Sequence, residues 1–213
     1  MKKFFKRTIF MLFLLFLYVF ISAQSYVVAV SNELSNAVFR LHVIANSDSN
    51  EDQELKLKVR DNLLEYMNQI CSNCLTKEEA IILAQSHQNT FQAIAEETIL
   101  ENGYDYSVKI NINNFYFPTK NYGDISLPAG YYDALRVEIG EAKGQNWWCV
   151  MFPSLCFIDV SNGIVDNEAK ENLEENLGDE SFNIISDSKE TKFYFKFKLI
   201  EFFAEKGLFT AKY

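Results

Sequence analysis

Two histidines, four cysteines and an oxygen-rich stretch at 46–53 are the parts of this 213-residue chain whose types and spacing could do chemistry. Asp48, Asn50 and Asp52 occupy the first, third and fifth places of a calcium loop. The sixth place, which needs glycine for the sharp turn, is Gln53, and the twelfth, which needs a bidentate glutamate, is Val59; the match fails. The same residues suit a helix start: Asp48 or Ser49 caps it, and Glu51, Asp52 and Glu54 sit in its positive first turn. Cys149 and His42 are a formal nucleophile and base, yet a cysteine with another seven residues away, in an exported chain, reads as half of a disulfide. Neither histidine stands in an H-E-x-x-H pattern, and the chain has no G-x-S-x-G, G-x-x-x-x-G-K or G-x-G-x-x-G. Cys71-x-x-Cys74 lacks the second ligand pair of a zinc finger, and it ends a helix where a redox motif would start one. The residues therefore point to no catalytic group, no metal and no cofactor.

What remains are residues suited to contact. Trp147 and Trp148 are adjacent in an extended segment, where neighbours point to opposite faces, so one is expected in the core and the other exposed. An exposed tryptophan beside Lys143-Gly144-Gln145-Asn146 suits a protein-interface anchor or a sugar platform. Lys56 and Arg60 lie one turn apart on the outer face of the first helix, as solvated charge or as a docking pair.

The elements that must position these residues follow from periodicity. Residues 37–45, rich in β-branched and aromatic types, read as a strand stopped by Asn46-Ser47-Asp48-Ser49. Leu55, Val59, Leu63, Met67 and Ile70 then recur at helical spacing while Lys56, Lys58, Arg60 and Asp61 face out. Thr76 and Glu79 form a capping box that opens a second helix, striped by Ala80, Leu83, Ala84, His87, Phe91, Ile94, Ala95 and Thr98 and stopped at Gly103. Tyr104, Tyr106, Val108, Ile110 and Ile112 alternate with polar residues as a half-buried strand. Residues 115–123 make an extended, turn-rich connection. Leu135, Val137 and Ile139 mark another strand, and 147–152 a further one. The acidic stretch 166–180 is expected half helical and poorly cored, and 193–203 a helix after a short extended piece. This order predicts a single α+β domain, a largely antiparallel sheet with helices packed on one face.

The N-terminus sets the compartment. Met1-Lys2-Lys3-Phe4-Phe5-Lys6-Arg7, an unbroken apolar run Ile9–Ile21 and the small-residue exit Ser22-Ala23 form a secretory signal pattern. The run rises only about 20 Å as a helix, short for a hydrocarbon core of about 30 Å, so residues 1–25 are a signal peptide or a short anchor. Cleavage after Ala23, Ser25 or Ala29 and retention with extension by residues 26–30 are both compatible with the pattern. Four of the 20 cations and none of the 29 acids lie before Gln24, so the exported part, with 16 cations, carries a net charge of −13. Such a domain repels phosphate backbones, which argues against nucleic acid, and meets membrane only through its N-terminal segment. Outside the cytoplasm thiols oxidise. Cys149 and Cys156, in one short apolar segment around Pro153, are the expected pair, worth roughly 2–3 kcal/mol; Cys71 and Cys74 then pair with each other or stay reduced.

Two blocks of sequence resemble a known family. Arg40-Leu41-His42-Val43-Ile44-Ala45-Asn46-Ser47-Asp48-Ser49 with Asp52-Gln53-x-Leu55-Lys56-Leu57-Lys58-Val59-Arg60-Asp61 is similar to the N-terminal signature of stage II sporulation protein R. Leu127-Pro128-Ala129-Gly130-x-Tyr132-x-Ala134-Leu135-Arg136-Val137 and Gly144-x-Asn146-Trp147-Trp148-Cys149-Val150-Met151-Phe152-Pro153-x-Leu155-Cys156-Phe157 resemble the rest, and the likeness covers about 36–159 within a globular domain of 31–213. Ser154 departs from a common proline, and the Cys71/Cys74 pair is not a family feature. The resemblance implies a signal and not a catalyst. It implies a protein made in the forespore of an endospore-forming bacterium and exported into the space between two cells. There it would activate a membrane-embedded aspartic protease of the mother cell that processes pro-sigma-E. The residues least explained by core packing are the expected receptor contacts: Asn46, Ser47, Asp48, Asp52, Gln53, Lys56, Arg60, Asn146, Trp147 and Trp148. An exported glycan-binding module and a thiol-dependent envelope enzyme built on Cys149 are the alternative readings.

Overall fold

A six-residue strand with no exposed position organises the domain. The computed structural model describes residues 2–122, 125–153 and 167–186. Strand β1 (Phe39–Ile44) is buried along its whole length. It is flanked by β5 (Gly130–Ile139), to which it runs parallel, and by β6 (Asn146–Phe152), antiparallel to it. β2 (Val108–Phe117) pairs antiparallel with β5 from Val108↔Ile139 to Phe117↔Gly130, giving the order β2-β5-β1-β6. Two of the three pairings are antiparallel, as expected of this α+β domain, and the parallel one joins strands separated by the whole helical region. β3 (Lys120–Tyr122) and β4 (Ile125–Leu127) form a separate two-stranded hairpin.

The first face of the sheet carries Leu41, Val43, Leu135, Val137 and Cys149 against the helices. Helix α2 (Asn50–Ile70) presents Leu55, Val59, Leu63 and Met67 to that core, all buried, as their spacing predicts. The capping Thr76 accepts the Glu79 N–H at 3.3 Å, while the Glu79 carboxylate reaches one residue further back, to the Leu75 N–H at 2.8 Å. The single helix expected over 76–103 is two, α3 (Lys77–Ser86) and α4 (Gln88–Glu101), broken at His87. Two contacts account for the break. His87 Nδ1 is tied to Tyr66 Oη on α2 at 2.6 Å, and α4 is redirected along β2, where Gln88 and Gln92 donate to the Ile110 and Val108 carbonyls. β2 itself starts four residues later than expected and absorbs Phe115–Phe117 from the connection; among the predicted buried residues of that face only Ile110 is buried, β2 being the outermost of the described strands of this sheet.

The second face carries Arg40, which is fully buried. Its Nη2 donates to Tyr122 Oη at 2.6 Å and its Nε to the Cys149 carbonyl at 3.5 Å. The guanidinium lies 4.0 Å from the Phe117 ring centroid and 4.7 Å from that of Tyr132. Its Nη1 has no hydrogen-bond partner. The β3–β4 hairpin closes over this group through Tyr122, which also donates to the Trp148 carbonyl. Helix α5 (Asn167–Leu177) corrects the expectation of a poorly cored acidic stretch over 166–180, since Leu173 and Leu177 are buried, and α6 (Asp179–Ser186) adds Phe182 and Ile185 beyond it. Periodicity misses them because both helices are short and α5 is mostly acids and amides.

Helix α1 (Lys2–Ala37) runs unbroken from the apolar segment into the domain. Its end is core: Leu34, Ala37 and Val38 are buried, and Lys77, ion-paired with Asp133, donates to the Ser35 carbonyl. The apolar window is longer than the Ile9–Ile21 run, covering the 19 residues Phe4–Ser22, exposed throughout and long enough as a helix to cross a membrane. Cys71 and Cys74 are disulfide-bonded to each other at the end of α2. Cys149 is also disulfide-bonded; its expected partner Cys156, and the segment 193–203, lie outside the described residues.

Arg40 gives the packing a direct test. Removing its hydroxyl partner in Tyr122→Phe leaves a second guanidinium nitrogen unpaired and is expected to cost about 2 kcal/mol. Arg40→Met removes the buried charge together with its unpartnered nitrogen and should cost less, within about 1.5 kcal/mol of wild type. Urea unfolding followed by tryptophan fluorescence ranks the two; a larger loss in Arg40→Met would show that the guanidinium itself holds the hairpin.

Candidate functional site

The candidate contact residues converge on one end of the sheet, where β1 passes into α2 and the β5–β6 hairpin folds over the junction. Ser49 caps α2, its Oγ accepting the Asp52 N–H at 3.2 Å. Asp52 is buried, and one of its oxygens accepts from Asn46 Nδ2 at 2.8 Å and Ser47 Oγ at 2.5 Å. Tyr106 hydrogen-bonds the same carboxyl. Burial alone would raise that carboxyl; the bonds from Ser47, Asn46 and Tyr106 outweigh it and hold Asp52 below the usual carboxylate range.

Asn46 also clamps the hairpin. Its Oδ1 accepts the Glu141 N–H at 2.9 Å and its carbonyl the Lys143 N–H at 3.2 Å, while the Gly144 N–H reaches the Ala45 carbonyl at 3.0 Å. Two glycines make the approach possible. Gly140 sits at φ +57° with Asn46 Oδ1 where a Cβ would stand, and a Cβ on Gly144 would overlap the Ser47 carbonyl. Asp48 Oδ1 accepts the Gln145 N–H at 2.7 Å, and Gln53 Nε2 donates to the Ser47 carbonyl at 2.8 Å. Asn46, Ser47, Asp48, Asp52 and Gln53 are thus brought together, as internal ties of a loop.

Lys56 corrects an expectation. It is 5% exposed and not on the outer face; Nζ donates to Gln53 Oε1 and to the Gln145 carbonyl. Burial, then the nearby Arg60 charge, lower its pKa, with Asp48 acting the other way. Arg60 is only partly exposed, with its guanidinium carbon 4.1 Å from the Trp147 centroid and bound to Asp61. The tryptophans do point to opposite faces, but neither is fully core or fully exposed. Trp147 lies on the helix side under Arg60, and its buried Nε1 has no partner. Trp148 lies on the other side, stacked on His42 with centroids 3.6 Å apart. Exposed Asn146 accepts the His42 Nε2–H through its Oδ1, 2.7 Å away. Burial first, then the charges of Arg136 and Arg40, lower the His42 pKa to about 4 against the opposing Asn146 bond, so the ring is neutral near pH 7.

The formal Cys149/His42 pair is not assembled. Cys149 registers with Leu41 on the helix face while His42 projects from the other, and Cys149 is held in a disulfide. Asp48 and Asp52 are engaged by Gln145 and by Asn46 and Ser47, and among the described residues no group of three or more His, Cys, Asp or Glu side chains could hold a metal. Reasoning from sequence missed Arg40, Tyr106 and the glycine pair; two glycines within the six-residue connection 140–145 are the signal that could have found the last.

Fold and site define an α+β domain continuous with an N-terminal apolar helix, presenting a braced Arg60–Trp147 surface at one end of its sheet. The family description "Stage II sporulation protein R (spore_II_R)" matches residues 35–162, and the chain belongs to that family. It is 39% identical over 140 residues to the stage II sporulation protein R of Bacillus subtilis (strain 168), covering 65% of this chain and 62% of that protein. The chain therefore spans under two thirds of that relative's length. No solved structure matches it.

Asp52 supplies the test of the loop. A carboxyl held below its usual value contributes stability above its unfolded pKa and loses it as pH falls through the folded one. Asp52→Asn turns an acceptor facing three donors into a mixed group and is expected to cost about 2–3 kcal/mol at pH 7. The gap between variant and wild type should shrink on acidification below pH 4, as urea midpoints at a series of pH values would reveal.

Proposed function

We propose that this chain is an exported intercellular signal of endospore formation, made in the forespore and activating a membrane-embedded aspartic protease of the mother cell that processes pro-sigma-E. Family membership carries the reading. It is supported by the apolar Phe4–Ser22 helix, suited to export or tethering, and by two cysteines joined as expected of an oxidising compartment. The mechanism is differential binding: the signal favours the active state of its receptor by contacting that state better.

Within the site, the contact falls on what the loop leaves outward. Asn46, Ser47, Asp52, Gln53 and Lys56 brace the junction, and Trp147, Arg60, Gln145 and Asn146 are what a partner would touch. A half-buried tryptophan under an arginine is a typical hot-spot pair, apolar area with a polar rim. Trp148 acts from behind, fixing the strand through His42.

Co-expression with the receptor and pro-sigma substrate in a non-sporulating host measures this directly. Trp147→Ala and Arg60→Ala should each cut processing by about tenfold, as loss of an interface anchor does, with secretion unchanged. Lys58→Ala, exposed on the neighbouring turn, should leave it intact. Full processing in both Trp147→Ala and Arg60→Ala would remove this surface from the contact.

A further inference from the structure

The disulfide between Cys71 and Cys74 closes a turn that its surroundings already hold. It encloses only Ser72 and Asn73, where α2 has ended and α3 has yet to begin. In the chain-entropy account stabilisation grows with the loop a bridge closes, so a loop this short contributes least. Hydrogen bonds fix the same backbone independently. The Cys71 N–H donates to the Met67 carbonyl at 2.9 Å and the Cys74 N–H to the Cys71 carbonyl at 3.1 Å. On the far side Glu79 accepts the Leu75 N–H, Thr76 caps α3, and Lys77 is fastened to Asp133 and to the Ser35 carbonyl. With both flanks held, the two Cα atoms stay near their 5.0 Å spacing, within the reach of a disulfide, when the bond is open. Ser72, Asn73 and Leu75 are exposed and uncharged, Leu75 to 78%, and the two cysteines are half-buried. An attacking thiolate, itself an anion, therefore meets no like charge on the turn. Cys149, held in a disulfide of its own, lies in the core at 1% exposure.

We propose that the Cys71–Cys74 pair is a reversible thiol–disulfide exchange site whose partner is a protein carrying a C-x-x-C dithiol. A thiolate of the partner attacks one of the two sulfurs. The S–S bond breaks, a mixed disulfide forms, and the other cysteine leaves as a thiolate that takes a proton from water. The partner's second thiol, once deprotonated, attacks the partner sulfur of that mixed disulfide and releases this chain. Cys71 and Cys74 end as thiols and the partner as a disulfide, two electrons having passed to this chain; the reverse sequence restores the bond. This chain is the receiving side of the exchange. A catalytic C-x-x-C starts a helix, whose positive end stabilises the attacking thiolate, whereas Cys71 stands at the negative end of α2. The reactive thiolate must come from the partner. From its Ser49 cap to Cys71, α2 runs about 30 Å, so exchange at this end is independent of receptor contact at the β1–α2 junction.

The probe is thioredoxin, used on the full-length chain in detergent micelles. A thioredoxin whose resolving cysteine is replaced by serine traps the mixed disulfide, and peptide mass mapping locates it. The adduct should fall on Cys71 or Cys74 and vanish in the double variant Cys71→Ser/Cys74→Ser. With intact thioredoxin, followed by alkylation, the Cys71–Cys74 bond should open about tenfold faster than the disulfide of Cys149, as an accessible sulfur does against one in the core. Far-UV circular dichroism should keep its native signal throughout, and oxidised glutathione should restore the bond. The absence of an adduct, an adduct on Cys149, or equal opening rates for the two bonds would overturn the exchange site. Loss of helical signal on reduction, or in the double serine variant, would overturn it in favour of a structural staple.

Discussion

Burial of β1 on both faces is the constraint from which the rest of the domain follows. A strand in a two-layer domain normally buries one face and wets the other. Here Leu41 and Val43 face the helices, while Arg40 and His42 face a second layer made by the β3–β4 hairpin and aromatic side chains. Covering a guanidinium and an imidazole requires partners that are polar at the tip and apolar in the body, and Tyr122, Tyr132, Phe117 and Trp148 supply them. Cation–π contact and a phenol oxygen replace the carboxylate usual for a buried arginine. Among the described residues no carboxylate is ion-paired with the buried Arg40 guanidinium.

The same strand delivers the site. Where β1 ends, Asn46 turns its side chain to α2 and to the β5–β6 hairpin at once, and Asp52 gathers the donors of the turn. Three segments distant in sequence are fixed by neutral or charge-assisted hydrogen bonds. Rigidity of this kind suits recognition, because a preorganised surface loses less conformational entropy when a partner arrives. It also separates two roles that composition had merged: residues that hold the loop and residues that face outward from it.

Continuity of α1 with the core links placement to presentation. Leu34, Ala37 and Val38 are packed in the domain, so the helix that carries the apolar window also completes the fold. Orientation relative to a membrane would then be set by a helix, and not by a flexible linker.

Much of this was legible in the sequence because local periodicity records burial. The α2 stripe, the β1 and β5 strands and the apolar N-terminus all follow from residue type and spacing. Lys56 was misplaced because its flexible stem lets a lysine bury its length while its ammonium finds oxygens from another segment. The helix break at His87, the reach of β2 to Phe117 and the core of α5 and α6 were decided by partners far along the chain, which no local pattern encodes. The sequence by itself determined the α2 stripe, the β1 and β5 strands and an N-terminus suited to export. Tertiary structure decided which polar residues are braces and which remain to meet a partner, since a hydrogen bond across the fold depends on where two segments meet and not on either alone.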